Sequence, residues 1–300
     1  MKFWSQSAAG TGALFPDWLP DPLNRVGGVK VLLTNDDGIA ATGLQTLRKA
    51  LLQVPGLELI VIAPDGNRSA SARSITTRRP LKVTKVEFGD GTHGFACDGT
   101  PVDCVRLATH GLVEGFSADM VVSGINHGAN LGDDITYSGT VAAALEGILL
   151  GRDGVAVSQR SSGGLYDHME GEGWEAFQEV AEFTAKLVRD WEQVPLQDAT
   201  MVNINAPAGK AKGVKVTKLG RRKYMEDLID EGPADDDGGR TIRIYAQEPV
   251  HERVEGTDLT AVDDGYIAVT PIHLDLTDHG GLDGLAAAGL GESIAPLEAE

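Results

Sequence analysis

The stretch VKVLLTNDDGIAATGLQTLRKALLQ, residues 29–53, decides the fold that we predict. It begins with an apolar run at 29–34 and, after a loop with two adjacent aspartates, continues as a helix-like segment at 42–53. A short apolar run of this kind is typical of a strand buried on both faces of a parallel sheet. The stretch therefore predicts a buried strand that ends at Asp36 and Asp37, just before a helix begins.

The same alternation of strand-like and helix-like segments continues along the chain. Further apolar runs lie at 57–64, 118–124 and 154–159, further helix-like segments at 101–112, 139–151 and 175–191, and a β-rich part at 200–207, 213–220, 241–247 and 265–272. Strands that alternate with helices form parallel sheets with right-handed crossovers and helices on both faces. We therefore predict an α/β fold, a three-layer, Rossmann-like, mostly parallel sheet with a C-terminal β-rich extension and a hairpin arm.

The sequence pattern divides the chain into three parts. Residues 1–28 are predicted to form an N-terminal extension, 29–280 the α/β domain with its β arm from about residue 200, and 281–300 a tail. The acidic sequence DDDGG at 235–239 resembles part of a calcium loop but lacks the alternating ligand spacing and the closing Glu. We interpret it as the solvated tip of the hairpin arm.

Charge and composition narrow the classes of function. Lys and Arg number 26 against 44 Asp and Glu, and the net charge of −18 repels nucleic-acid backbones and anionic membranes. No apolar run reaches the roughly 18 residues of a membrane span, and the N-terminal sequence lacks the apolar core of a signal peptide. The two cysteines, Cys97 and Cys104, suggest neither a disulfide framework nor a zinc site. We expect a soluble cytoplasmic protein without stable nucleic-acid or membrane binding.

Three predicted strand ends carry side chains with oxygen atoms. These are NDDG at 35–38, DGNRSAS at 65–71 and GINHGANLGDD at 124–134. Because ligands of open parallel sheets bind outside the carboxyl ends of the strands, we expect these loops to converge. Carboxylates of Asp36 and Asp37, the hydroxyl of Ser69 and the amide oxygen of Asn126 suit Mg²⁺, which also relieves repulsion between adjacent carboxylates. The alternative is an ordinary turn, because Asp-Gly sequences are common turn formers.

A second candidate site lies at the start of the helix at 139–151. Backbone N–H groups and hydroxyls of Ser138, Gly139 and Thr140 are placed to bind an anion at the positive end of the helix. The alternative is that Ser138 or Thr140 only caps the helix. Together with a metal ion, an anion site here indicates phosphoryl chemistry.

Other polar residues of these loops are weaker candidates. Asn67, Arg68, Arg73 and Arg78 lie in or beside the loop after the second strand, where an arginine is able to clamp a phosphate. Exposed arginines are more often simply solvated. His127 adjoins Asn126 and is a candidate for substrate contact, although a lone histidine is more often structural.

Six blocks of the sequence resemble, in the same order, motifs of the SurE family of survival-protein nucleotidases. The blocks are LLTNDDGI, APDGNRSASARSIT, CDGTPVDCV, SGINHGANLGDDITYSGTVAAALEG, VNINAP and EGTDLTAVDDGYIAVTPI, which together cover roughly residues 29–275. The resemblance implies a metal-dependent phosphatase that hydrolyses nucleoside 5′- and 3′-monophosphates and, in some members, short polyphosphate. It also implies a homodimer or homotetramer that assembles through exchanged C-terminal β arms.

The resemblance also implies roles for single residues. One Mg²⁺ or Mn²⁺ per subunit would be held by Asp36, Asp37, Ser69 and Asn126. Phosphate would be bound by Asn126, Ser138, Gly139 and Thr140, and the catalytic residues would be Asp36, Asp37 and Asn126. The metal ligands agree with the set that the strand ends indicate. The 28-residue leader departs from the family pattern.

The hypothesis for the reaction is that the metal polarises a phosphoryl oxygen and lowers the pKa of a bound water. A covalent aspartyl-phosphate route through Asp36 or Asp37 is an alternative, because carboxylates are able to act as nucleophiles. Two other classes of function stay open. One is a regulatory protein that binds nucleotides in the same crevice without turnover, and the other is a scaffold whose acidic surface and arms carry the function.

Overall fold

The computed structural model describes residues 28–162, 173–224, 228–233, 239–244 and 250–288. The strands are β1 (Lys30–Thr34), β2 (Glu58–Pro64), β3 (Val83–Glu87), β4 (His93–Cys97), β5 (Met120–His127), β6 (Asp153–Gln159), β7 (Thr200–Ala206), β8 (Val214–Val216), β9 (Arg222–Lys223), β10 (Ile229–Pro233), β11 (Arg240–Arg243), β12 (Val250–His251) and β13 (Ile267–His273). The helices are α1 (Thr42–Leu51), α2 (Pro101–Thr109), α3 (Gly139–Leu149), α4 (Glu175–Arg189), α5 (Asp258–Asp263) and α6 (His279–Ala287). Short 3₁₀ helices span Gly132–Thr136 and Trp191–Gln193.

Nine strands of the described part form one sheet in the order β3-β4-β2-β1-β5-β6-β7-β13-β8. From β4 to β7 in this order, each strand is parallel to the next one. Strand β1 pairs with β2 on one side and with β5 on the other, so the direction of winding reverses at β1. Such a switch point opens a crevice at the carboxyl ends of the strands, where α/β proteins bind ligands.

The helices cover both faces of this sheet. Side chains of β1 alternate between the faces, so Val31 and Leu33 pack with α1 and α4, whereas Leu32 packs with α2. The buried face of α4 follows the helical repeat through Phe177 to Val188. An apolar core therefore lies on each face of the sheet, between the sheet and its helices. The predicted three-layer, mostly parallel α/β fold is confirmed.

The sequence pattern missed one edge of the sheet. The antiparallel pair β3 and β4 was not predicted. Strand β3, VTKVE, is half-exposed because it lies at the edge of the sheet, so it lacks the continuous apolar run of the central strands. The predicted strand at 213–220 is shorter than expected, since only Val214–Val216 pairs in the sheet.

The predicted hairpin arm is present as the antiparallel pair of β10 and β11, apart from the central sheet. Of the predicted DDDGG tip, only the last glycine lies within the described residues. Residues 1–27 and 289–300 lie outside them. The proposed division of the chain at 28 and 280 therefore stays a prediction, and α6 crosses the second boundary.

Within the described ranges, no helix combines the length and apolar character that a bilayer span requires. Cys97 and Cys104 are buried free thiols.

Candidate metal and phosphate site

The loop after β1 places two carboxylates at the switch point of the sheet. Asn35 holds the turn, because its side chain accepts the N–H of Gly38 at 3.1 Å and donates to the carbonyl of Gly38 at 3.0 Å. Gly38 has a φ of +109°, which favours glycine. The turn chemistry that Asp-Gly sequences suggest is thus carried by Asn35 and Gly38, and it presents Asp36 and Asp37 at the edge of the sheet.

Asp36 is a buried carboxylate held by the start of α3. Its side chain is 3% exposed. The Thr140 hydroxyl donates to Oδ1 at 2.6 Å, and the Thr140 backbone N–H donates to Oδ2 at 3.2 Å. Burial, followed by the charge of Asp37, raises the pKa of Asp36 to about 6, although the bonds from Thr140 act in the opposite direction. A cation between these two carboxylates would remove the repulsion that opposes their ionisation.

Asp37 and Asn126 are fixed by the backbone at the end of β5. The N–H of His127 donates to Oδ2 of Asp37 at 3.0 Å. The amide nitrogen of Asn126 donates to the carbonyl of Gly128 at 2.7 Å. This bond directs the nitrogen of the side-chain amide towards Gly128 and its oxygen away from Gly128. An amide oxygen is a ligand of the type that Mg²⁺ prefers. The ends of β1 and β5 therefore supply two carboxylates and one amide oxygen.

Ser69 lies in the loop that follows β2. The backbone N–H of Arg68 donates to the carbonyl of Asp36 at 2.6 Å, and the N–H of Ser69 donates to the side chain of Asn67 at 2.8 Å. These bonds hold the loop against the backbone of Asp36. Ser69 itself is exposed. The structure thus brings Ser69 to the same edge of the sheet as the two aspartates.

The phosphate-binding candidates lie at the N-terminus of α3. Ser138 caps the helix, because its hydroxyl accepts the N–H of Val141 at 3.1 Å. A Cβ on Gly139 would lie 2.8 Å from Oδ2 of Asp36, so this position accommodates only glycine without a shift. Thr140 donates both its hydroxyl and its N–H to Asp36. The positive end of α3 therefore lies directly against the carboxylate that is the first candidate metal ligand.

The weaker candidates each have a protein partner or a surface position. Arg68 pairs with Asp65 at 2.7 Å, and Arg73 pairs with the buried Glu146 at 3.2 Å. Arg78 is exposed.

His127 is a packing residue in this structure. Its ring stacks on Phe177 with centroids 4.9 Å apart, and its Nε2 accepts the N–H of Gly43 at 3.3 Å. An imidazole that accepts at Nε2 is not protonated at that nitrogen. This arrangement favours the structural reading of His127, since the ring links the end of β5 to α1 and α4.

A buried asparagine network behind the site was missed by sequence reasoning. Asn130 donates its N–H to Asn205 at 2.8 Å and its amide to Ser158 at 2.8 Å. Its carbonyl accepts the amides of Asn203 and Asn205 at 3.0 and 2.9 Å. The network fastens the loop before Ser138 to the carboxyl ends of β6 and β7. The signal was present, because asparagines at alternate positions of the apolar run at 200–207 are unusual in a buried strand.

Ser71 is a second residue that the sequence did not single out. Its hydroxyl is buried and has no hydrogen-bond partner in the described part of the chain. It lies 3.2 Å from the position that a Cβ on Gly139 would take, close to Asp36. A hydroxyl held in this way would be able to donate to an anion at the start of α3.

The donor set fits a hard divalent cation. It combines two carboxylates with neutral oxygens from a hydroxyl and an amide, which is typical of Mg²⁺ or Mn²⁺ and not of softer metals. No group of three or more His, Cys, Asp or Glu side chains that could hold a metal occurs in the described ranges. A cation here would therefore depend on both aspartates and on neutral oxygen ligands.

The raised pKa of Asp36 predicts how the stability of the metal-free protein depends on pH. Folded Asp36 holds its proton more tightly than the unfolded chain does, because its pKa is about 6 instead of 3.8. This group therefore stabilises the fold below about pH 4, and its contribution is lost as the pH rises through 6. In EDTA, we expect the free energy of unfolding to fall by about 3 kcal/mol over this window from this group alone.

Urea unfolding at a series of pH values measures this effect as the difference between wild type and Asp36→Asn. Asparagine does not titrate, so the variant isolates the contribution of Asp36 from that of the other acids. Parallel pH profiles for the two proteins would contradict the prediction. Added Mg²⁺ is expected to reverse the loss in wild type and not in the variant, since it binds the ionised pair.

Comparisons with known proteins identify the family of this chain. The family model described as Survival protein SurE matches residues 31–226. The 5′-nucleotidase SurE of Rubrobacter xylanophilus is 48% identical over 273 residues, 89% of this chain and 99% of the relative. The 5′-nucleotidase SurE 1 of Thermus thermophilus is 40% identical over 271 residues, 89% of this chain and 100% of the relative.

A solved structure supports the same assignment. The crystal structure of the SurE protein from Aquifex aeolicus superposes with a TM-score of 0.70 at 36% identity, over 87% of this chain and 99% of that chain. The matched family model contains the loops that carry Asp36, Asp37, Ser69, Asn126 and the start of α3. The chain therefore belongs to the SurE family.

Proposed function

We propose that this chain is a metal-dependent phosphomonoesterase that hydrolyses nucleoside 5′- and 3′-monophosphates to nucleoside and phosphate, and that short polyphosphate is an additional substrate. The observation that carries the proposal is the pair of adjacent carboxylates, Asp36 and Asp37, at the switch point, with Asp36 against the N-terminus of α3. The names of its relatives, 5′-nucleotidases, support a nucleotide as the substrate. The scaffold alternative does not account for a buried carboxylate with a raised pKa at this edge.

The residues of the site divide the work of the proposed reaction. A bound Mg²⁺ or Mn²⁺, one per subunit, would polarise the phosphoryl group and activate a water. Thr140 fixes the orientation of Asp36, and Asp37, the more exposed of the two aspartates, accepts the proton of the attacking water. The N-terminus of α3 and the hydroxyl of Ser71 stabilise the charge on the phosphoryl oxygens. Asn126, whose amide nitrogen is held by Gly128, would help to hold the metal and would contact the phosphate.

We also propose that the chain forms a homodimer or homotetramer through its C-terminal arms. The hairpin of β10 and β11 stands apart from the central sheet, and Leu228, Ile242 and Ile244 on or beside it are exposed. An isolated two-stranded hairpin is marginally stable in water, so these apolar side chains need a partner surface. We place the protein in the cytoplasm, where its buried free thiols stay reduced.

Phosphate release from a panel of nucleoside 5′- and 3′-monophosphates tests the proposed activity. With Mg²⁺ or Mn²⁺, we expect release from several members of the panel, and with EDTA we expect loss of release, because the ionised carboxylate pair needs a cation. A metal-free control that is reloaded with Mg²⁺ separates loss of metal from loss of folded protein. Tight nucleotide binding without release under any metal would favour the regulatory alternative.

A further inference from the structure

A groove runs between α1 and α4 on one face of the sheet, with a volume of about 490 Å³. Its apolar lining consists of Ala50, Val54, Pro55, Trp174, Ala181 and Ala185. The small side chains of three alanines leave the floor open, and Trp174 at one end is 52% exposed. An open apolar surface of this kind is typical of a site that another segment or protein covers.

The charge of the groove differs from that of the whole protein. Lys49, Lys186 and Arg189 line it beside the single acid Glu182, although the net charge of the chain is −18. Arg189 pairs with Asp190 at 2.7 Å. Lys49 and Lys186 form no salt bridge with any residue that the structure describes. The groove therefore favours an occupant that is both apolar and acidic.

The leader of this chain contains a segment with that composition. Residues 14–23, LFPDWLPDPL, combine five large apolar side chains with Asp17 and Asp21 and contain no basic residue. Three of the ten residues are prolines. Proline-rich sequences lose less conformational entropy than other sequences when they dock in an extended form.

The described chain begins at the end of the same groove. A Cβ on Gly28 would lie 1.3 Å from the carbonyl oxygen of Gly56, so the two backbones are in direct contact, and Gly56 adjoins Pro55 of the groove lining. Both α1 and α4 are crossovers between parallel strands, so their C-terminal ends lie at the same edge of the sheet. A segment that precedes Gly28 is therefore tethered at this end of the groove.

Residues 14–23 are long enough to span the groove. The α4 side from Trp174 to Arg189 spans about 22 Å at about 1.5 Å per residue, and ten extended residues reach about 31 Å. We propose that residues 14–23 dock in cis along the groove between α1 and α4, with Asp17 and Asp21 against Lys49 and Lys186. The leader is then an intramolecular strap that covers the apolar face of two helices, independent of the proposed activity.

Disulfide trapping in the full-length chain tests this docking. Pro16→Cys is combined with Gln178→Cys, near the Trp174 end of the groove, and the matched control combines Pro16→Cys with Lys85→Cys, an exposed position on β3. The native thiols are buried and do not compete. Under mild oxidation, we expect the groove pair to link within one chain at least about tenfold faster than the control pair, because docking raises the effective concentration of the two thiols.

A second pair of variants ties the link to the segment. Trp18→Ser with Leu19→Ser is expected to slow the link to the rate of the control, whereas Phe3→Ser with Trp4→Ser, outside residues 14–23, leaves it fast. Equal rates for the groove and control pairs would overturn the proposal. A link between two chains would also overturn it, since the occupant would then be a second copy, and so would a link that Trp18→Ser and Leu19→Ser leave unchanged.

Discussion

Asp37→Asn is expected to lower metal-dependent phosphate release from nucleoside monophosphates by about 10²- to 10³-fold, while the fold is retained. The change removes one of two adjacent carboxylates and leaves an oxygen that is able to accept the N–H of His127, which lies 3.0 Å from Asp37 Oδ2. An amide carries no charge, so the cation loses an ionic ligand and the attacking water loses a proton acceptor. Steady-state phosphate release with increasing Mg²⁺, together with circular dichroism, measures the effect.

The matched control for this prediction is Asp65→Asn. Asp65 is an exposed acid that also follows the carboxyl end of a central strand. It forms an ion pair with Arg68 and is not part of the adjacent pair Asp36 and Asp37. Its loss is expected to change the rate of release by less than about threefold, since an exposed ion pair contributes little. An unchanged rate in Asp37→Asn, or an equal loss in Asp65→Asn, would refute a metal role for the carboxylate pair.

The location of the site was predictable because it depends on strand order and not on side-chain detail. Strand β1 reads as a buried parallel strand, and any residue that follows it lies at the carboxyl edge. Asp36, Asp37, Ser69 and Asn126 were placed at one edge on this ground, and the structure brings their loops together there. Their roles as metal ligands remain predictions, supported by the family that the sequence motifs identified.

The orientation of individual groups was not predictable from the sequence. Ser138, Gly139 and Thr140 were assigned to phosphate, yet both donors of Thr140 are directed at Asp36, which is 104 residues away along the chain. That contact depends on the depth at which α3 packs on the sheet, which no local pattern encodes. The edge strand β3 was missed for a related reason. Its strand conformation depends on pairing with β4, and its composition does not indicate a strand.

Thr140→Val is expected to raise the Mg²⁺ concentration for half-maximal phosphate release by about 10- to 100-fold at pH 7. Thr140 is fully buried, and valine fills the same volume without the hydroxyl that donates to Asp36 Oδ1 at 2.6 Å. This hydrogen bond lowers the pKa of Asp36, so its loss lets the proton compete more strongly with the metal. A metal titration of phosphate release measures the change in affinity apart from the maximal rate.

The pH dependence of the variant separates this positioning role from a merely structural one. If Thr140 acts through the ionisation of Asp36, the deficit of Thr140→Val shrinks as the pH rises from 6 to 8, because the carboxylate is then ionised in both proteins. Thr140→Ser retains the hydroxyl and is expected to bind metal nearly as wild type does. A deficit that is independent of pH, or a serine variant as impaired as the valine variant, would show that the methyl packing of Thr140, and not its hydrogen bond, supports the site.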